Sequence, residues 1–534
     1  MRISTSQYYE TSAANYSRTY GNVVASGEEA SSGIKVNTAA DDPVGAARLL
    51  QLGQQSSMLT QYKSNMTAAT TTMTASETAL TSITNALQRA RELALSASNA
   101  TYTDADRQAN AEELSQIQSQ VLGLMNSQDA SGNYLFSGSK SSTPPYTVNA
   151  DGSYSYNGDQ TSTNVAIGQG LSIATNTTGW DAFEQATNTT RTSTTPSVSD
   201  GKVTLSGGIV SNSATYSSSF TSGAPYTISY TSATQLKITD NTGTDRTSEL
   251  TANGVVSAST AADQTVSFRG VDLTLNVNLA TGDDASTVLT GRSFTFAATP
   301  DTFNTARVST NTSTSQITSA ITGASDSTAS AATQAADAVA YTSKFPASGA
   351  VVKVTGTTPT TTVALYASPL TANSQPIDSQ TLTGGSVTLA GVKFSISGTP
   401  ATGDQFTVQS NTHTNQNILN TLNDLRTALM TPTDGDAVAT QKLNAQLQSA
   451  IGNLASGSDQ VSTALSSIGA RGQAVDAQST TNTTLTTNND TNQSAIRNSD
   501  PAEVMTRLTL QQTMLSAAQL AFSRISQLGL FNKL

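Results

Sequence analysis

Cysteine is absent from the 534 residues, and histidine occurs once, at His413. Without a thiol there is no disulfide, no thiolate nucleophile and no cysteine metal site, and a lone imidazole cannot build the usual zinc or Cys–His arrangement. No catalytic, cofactor-binding or metal-binding residue is assigned, and no enzyme is expected. Charge is also scarce. Asp, Glu, Lys and Arg make up 12% of the chain, where a quarter is typical, and the net charge is -11. Nucleic-acid binding needs a basic face to neutralise phosphates, so no such partner is expected. No run of about 18 apolar residues occurs, which argues against a membrane-spanning helix. The opening Met1-Arg2-Ile3-Ser4-Thr5-Ser6-Gln7 lacks the apolar stretch of a cleavable secretory signal. If the protein leaves the cytoplasm, it must use a route that reads neither feature.

What the chain does have is helical periodicity at both ends. Met66, Met73, Leu80 and Leu87 recur every seven residues, with Ile83 and Ala90 offset by three. Leu447, Leu454, Val461, Ile468 and Val475 repeat the pattern near the other end. Such heptads predict helices that wrap one another. Asp500-Pro501-Ala502-Glu503 is a helix start, with Asp as cap and Pro at the first helical position. Asp42-Pro43 and Thr103 with Asp106 are two more. The middle of the chain is rich in Thr, Ser and Gly and alternates like half-buried strands. The predicted fold is α+β and multidomain: N- and C-terminal helices paired as an antiparallel coiled-coil shaft, with β-rich domains inserted.

The β part contains a repeat. Val266 to Leu275 aligns without gaps to Val387 to Ile396, and the register continues to Ala280-Thr281-Gly282-Asp283 and Ala401-Thr402-Gly403-Asp404. Tyr216 to Phe220 and Tyr341 to Phe345 match more weakly. An earlier strand set is expected from Tyr146 to Ile173, with Asp151-Gly152 as a hairpin turn. The expected domains are residues 1–42 with 500–534, 43–143 with 411–499, 144–190 with 301–410, and a further β module at 191–300 related to 310–410.

Several motifs carry a family resemblance. The segment Ala30-Ser31-Ser32-Gly33-Ile34-Lys35-Val36-Asn37-Thr38-Ala39-Ala40-Asp41-Asp42-Pro43-Val44-Gly45 resembles the N-terminal signature of bacterial flagellins and their junction relatives. Asp500 to Leu534 resembles the flagellin C-terminal helix, and Ile468-Gly469-Ala470-Arg471 the segment leading into it. Gly132-Asn133-Tyr134-Leu135-Phe136-Ser137-Gly138, Pro144-Pro145-Tyr146 and Tyr154-Ser155-Tyr156-Asn157-Gly158-Asp159 are most similar to the hook-associated branch of that superfamily. The resemblance implies inner-tube terminal helices, an outer-tube bundle and an outward β part. It further implies a structural role in the hook–filament junction ring. The implied partners are other copies of itself, the first hook-associated protein, flagellin and a flagellar export chaperone. Export through the flagellar type III apparatus and an extracellular place on the flagellum follow from the same resemblance. A filament flagellin shares both termini and stays open as an alternative, as does a secreted adhesin or glycan-binding protein whose β modules act. Gln88 to Leu95 resembles the flagellin segment read by an innate receptor, although as residues alone it is a salt-bridged helix face.

Tempting sites have simpler readings. Asp41-Asp42 before a Pro is a helix cap rather than an acid/base pair. His413 is expected in a solvated linker, and the Gly-Asp dipeptides in turns rather than around calcium. The terminal stripes remain: Ile3, Tyr16, Tyr20 and Val23 against Val504, Leu508, Leu515, Phe522 and Ile525. A two-helix layer is marginal in water, so these residues are assigned to an assembly interface with neighbouring copies.

Overall fold

The computed structural model describes residues 5–531, apart from 100, 150, 151, 260–262, 327, 347 and 348. Helices α1 (Thr5–Ser32), α2 (Pro43–Ala97) and α3 (Asp104–Met125) are followed by hairpins β1 (Tyr146–Val148)–β2 (Tyr154–Tyr156) and β3 (Asn164–Gly168)–β4 (Leu171–Ala174), and by a π-helical turn, Trp180–Glu184. Next come β5 (Thr192–Pro196), β6 (Val203–Leu205), β7 (Ile209–Val210), the one-turn α4 (Ser213–Thr215), β8 (Tyr226–Ser232), β9 (Gln235–Thr239), β10 (Gln264–Phe268), β11 (Val271–Val277), α5 (Ala285–Leu289) and β12 (Ser293–Ala298). A second run holds β13 (Thr302–Arg307), β14 (Gln316–Thr322), α6 (Ala331–Lys344), β15 (Ala350–Gly356), β16 (Thr362–Ala367), β17 (Asp378–Thr381), β18 (Ser386–Leu389), β19 (Val392–Ser397) and β20 (Gln405–Asn411). Helices α7 (Ile418–Met430), α8 (Ala437–Arg497) and α9 (Pro501–Phe531) complete the chain. The α+β class and the long terminal helices are as the periodicity predicts.

The helix starts follow from capping chemistry. Asp42 Oδ1 accepts from the N–H groups of Val44 and Gly45 at 3.1 and 2.9 Å, and Asp500 Oδ1 from Ala502 at 2.8 Å. Thr103 and Asp106 form a reciprocal capping box, a feature that stabilises a helix by about 1 kcal/mol. Gly33, at φ +66°, ends α1 in the left-handed conformation that glycine tolerates.

Two compact units form. One comprises Met1–Thr74, Ser162–Asn176 and Ser467–Leu534. Here α1 runs antiparallel to α9, closed by an Ile34–Asn498 bridge and by the Lys35 N–H donating to Arg497 O at 2.7 Å. Arg507 pairs with Glu29, and the Tyr16 and Phe522 rings stack 6.1 Å apart. Between α2 and α8 the heptad that ends in Val475 continues, seven residues at a time, into Asn482 and Asn489, both buried. Their amides donate to the carbonyls of Leu59 and Leu52, each at 2.9 Å and likewise seven residues apart. Hairpin β3–β4 is held to the same helices by Asn65, which donates to Ala166 O, and by Arg471, which donates to Ala174 O and Asn176 O.

The other unit comprises Ala75–Thr161 and Thr177–Ser466. Helix α3 packs on α7 through Leu114, Val121, Leu422 and Leu429, all buried. Buried Arg107 joins Asp104, Thr433 and Asp434 at the start of α3. Hairpin β1–β2 is tied to the end of α3, where Asn126 exchanges hydrogen bonds with the Tyr146 backbone at 2.9 and 3.0 Å. Among the described residues, β1 to β4 pair only within their own hairpins. The strands expected to form one domain from 144–190 and 301–410 therefore remain separate, because each hairpin is anchored to helices. Asp151 of the expected β1–β2 turn lies outside the described residues.

The rest of this unit is one architecture built twice. The strand order β9-β8-β12-β5 has its counterpart in β16-β15-β20-β13, and β10-β11-β6 in β18-β19-β14. In the first copy these are two separate sheets. In the second, the pairing of Thr302 with Ile321 merges them into eight strands, with β17 added at one edge. The aligned sequences fold as hairpins with two-residue turns: Phe268 faces Val271, and Leu389 faces Val392. Both central residues have positive φ in each case, Arg269-Gly270 and Ala390-Gly391, as a type I′ turn requires. A Cβ on Gly270 would lie 2.5 Å from Asn212 O and 3.1 Å from Tyr216 N, and one on Gly391 would lie 2.1 Å from Asp337 O and 2.5 Å from Tyr341 N. The same glycine packs on the same tyrosine in both copies. Gly282 and Gly403 share φ +98°, and each following Asp accepts from the alanine N–H three residues before it. Each copy has its own core, around Phe220, Tyr226, Phe268 and Phe296 in the first and Val352, Leu365, Phe394 and Phe406 in the second. The duplicated unit spans 192–298 and 302–411, so the second copy begins earlier than the aligned 310–410.

Candidate functional site

The stripes assigned to assembly lie on α1 and α9. Val504 is buried, and Tyr16, Val23, Leu508, Leu515 and Phe522 are half-buried where the two helices meet. This stripe is therefore largely occupied within one chain. Tyr20 stays 54% exposed. Ile3 and the Ile525 side chain lie outside the described residues. A second apolar set on α9 escapes the sequence reading: Met505, Leu510, Met514 and Leu520 are each more than half exposed, on the side away from α1. Helix α9 is thus apolar on both sides, although α1 covers only one, and a helix apolar all round is normally buried. Val24 on α1 is exposed as well.

A second candidate site is a polar cavity of about 990 Å³. Tyr154, Ser155 and Tyr156, from the last motif quoted above, line it, and that motif is tied to the one that runs from Gly132 to Gly138. The Tyr156 hydroxyl lies 2.9 Å from both Phe136 O and Asp159 O, and the Asp159 N–H donates to Ser137 O at 3.1 Å. Gly138, at φ +71°, leaves no room for a Cβ, which would stand 2.2 Å from the Asp159 carboxylate. The Gly179 N–H donates to Phe136 O at 2.7 Å, and the π-helical turn starts at the next residue. Its first residue, Trp180, is half-buried and lines the cavity, while Ala182 and Phe183 enter the core and Phe183 meets Phe136 edge-on at 5.2 Å.

Glu184, at the end of that turn, also lines the cavity. Burial raises its carboxyl pKa to about 7, although hydrogen bonds from Tyr146 and Asn417 favour the charged form. Asp424 is raised too, again by desolvation, and accepts from Gln416 at 2.7 Å. His413 lines the cavity as well. It lies in the linker between β20 and α7, as expected, and is partly exposed at φ +53°, with Nε2 3.1 Å from Pro300 O. Asn453 joins the walls, donating to Asn188 and Gln416 and accepting from Thr189. No group of three or more His, Cys, Asp or Glu placed to hold a metal ion occurs among the described residues. The Gln88–Leu95 face is salt-bridged, with Arg89 paired to Glu92 and Glu113.

Residues 3–141 match the family model for the bacterial flagellin N-terminal helical region. Over 188 residues the chain is 31% identical to flagellar hook-associated protein 3 of Salmonella typhimurium, covering 35% of this chain and 58% of that protein. The similarity to flagellar hook-associated protein 3 of Escherichia coli is 29% over 147 residues, covering 28% and 46%. The chain thus spans about half the length of these curated relatives. Among solved structures, the flagellar junction protein of Legionella pneumophila covers 84% of this chain and 100% of its own, at 19% identity and a TM-score of 0.44. The similarity to flagellin-type and hook-associated proteins read from the motifs is present in these relatives.

Proposed function

We propose that this chain is a structural, non-enzymatic subunit of the bacterial flagellum that forms the hook–filament junction ring, between the first hook-associated protein and the flagellin filament. The observation that carries the reading is the apolar α9 in a chain whose N-terminal region is of flagellin type. One side of α9 is occupied by α1, and the other presents Met505, Leu510, Met514 and Leu520 to solvent. Exposed apolar surface of this kind marks an association site. In a ring, that face meets the terminal helices of the next copy. Flagellin and the first hook-associated protein are the neighbours above and below, and an export chaperone covers the C-terminal region before assembly through the flagellar type III apparatus. The scarcity of charge suits close packing of identical surfaces.

Immunogold labelling of flagella tests the reading directly. A junction subunit marks one narrow band per flagellum at the hook. Labelling along the whole filament would make the chain a flagellin, and absence of label from flagella would overturn both.

A further inference from the structure

The polar cavity takes no part in that reading, yet several uncommon features converge on it. Trp180 and His413, the only tryptophan and the only histidine of the chain, both line it. Trp180 sits at the start of a π-helical turn, a form that is rare and concentrated at functional sites. His413 holds a left-handed backbone, which a non-glycine residue keeps only where its surroundings enforce it. Pockets that gather such features are the first place to expect a ligand.

The lining selects the kind of ligand. Trp180 and Tyr154 offer aromatic surface, and around them the walls are amides and hydroxyls, including Gln446 and Gln448 on α8. An amide presents a donor pair and an acceptor together, which suits a ligand dense in hydroxyl groups. Glu184 and Asp424 face the same space with Lys442 as the cationic side chain, a balance that disfavours phosphates and other anions. A molecule with one apolar C–H face and many hydroxyls at its edge matches this combination. We propose that the cavity binds a neutral oligosaccharide, with a sugar ring stacked on Trp180 and its hydroxyls held by the amides of Gln446 and Gln448. This site is independent of assembly, since the apolar face of α9 contributes nothing to it.

The single tryptophan makes the test direct. The full chain is applied to an array of neutral and acidic oligosaccharides, and a neutral binder is then titrated while Trp180 emission is followed. Saturable binding to a neutral oligosaccharide with a shift in Trp180 emission is expected. Trp180→Ala should weaken binding about tenfold or more, and Gln446→Ala, on the exposed face of α8, should weaken it severalfold with an unchanged melting temperature. Failure to bind any neutral oligosaccharide overturns the proposal, as does binding confined to acidic glycans. Binding that leaves Trp180 emission unmoved and survives Gln446→Ala also overturns it. The emission and Gln446→Ala readouts decide the matter even where Trp180→Ala does not fold.

Discussion

Glu184 couples the stability of its unit to pH. Its folded pKa of about 7 lies above the ordinary value of 4.5 because burial disfavours the charge. A carboxyl raised in this way binds more protons folded than unfolded between those values. Stability is therefore greatest below pH 4.5 as far as this group is concerned, and falls as pH rises through about 7. The loss amounts to about 2 kcal/mol, after allowing for contact with the open cavity. Glu184→Gln should flatten the change in melting temperature between pH 4.5 and 7, and a wild-type slope retained in the variant would assign it to another group. Nothing in the sequence marks Glu184. The acid lies between Phe183 and Gln185 without a motif, and its environment comes from Tyr146 and Asn417, distant along the chain. Asp42, Thr103 and Asp500, by contrast, are legible, because a cap is decided by neighbours within three residues.

At the scale of whole helices, the α2–α8 seam ends in polarity. Asn482 and Asn489 occupy positions where Leu and Val precede them, and each binds a carbonyl on the opposing helix. A buried asparagine in a coiled coil lowers stability but fixes register, since a slipped pairing leaves its amide unsatisfied. Replacing both by Leu should raise the melting temperature of this unit, by roughly 1–2 kcal/mol in stability, and admit pairings shifted by one heptad. Single cysteines placed on α2 and α8 of this cysteine-free chain would report the shift as new crosslinks. A variant crosslinking only in the native register would refute the role. The heptads are readable because burial at every seventh residue selects apolar side chains, and this seam is hidden where it turns to asparagine.

Helix α9 supplies a contrasting pair of variants. Phe522→Asp places a charge where Tyr16 stacks and should unpair α1 from α9 in the isolated chain. Leu510→Asp, on the exposed side, should leave the monomer's circular dichroism unchanged and stop incorporation into flagella, because an unpaired charge buried between subunits costs several kcal/mol. Normal junctions with Leu510→Asp would show that this side faces solvent after assembly. Periodicity identified one stripe. The other is not legible in the sequence, because exposed Met and Leu on a helix so rich in them form no separate pattern.

For the molecule as a whole, the duplicated modules set the length of the chain. Their turns were readable, since Gly270 and Gly391 are demanded by positive φ and close backbone approach. The cavity was not, because its lining comes from several distant segments of ordinary polar composition. The first module opens and closes on neighbouring strands, with Thr192 opposite Ala298 and the Thr299 N–H donating to Arg191 O at 2.8 Å. Joining residue 191 directly to 299 should therefore leave a protein that melts cooperatively, reaches the junction and supports swimming in liquid. A cut from Val203 to Ala297 should instead strand β5 without its partner and promote aggregation. Detached filaments with the first deletion, in a chain shown to fold, would make the module part of the junction.

The second module closes in the same way, Thr302 lying opposite Asn411, and outside it Thr187 pairs with Asn415. Each closure returns the backbone to within a strand spacing of where it left, so a unit of this kind can be copied, dropped or exchanged for a foreign domain without displacing the residues on either side. The bond between Arg191 and Thr299 is thus a ready-made grafting point, where an enzyme, an epitope or an affinity tag with adjacent termini could be carried by this chain in place of the module it has.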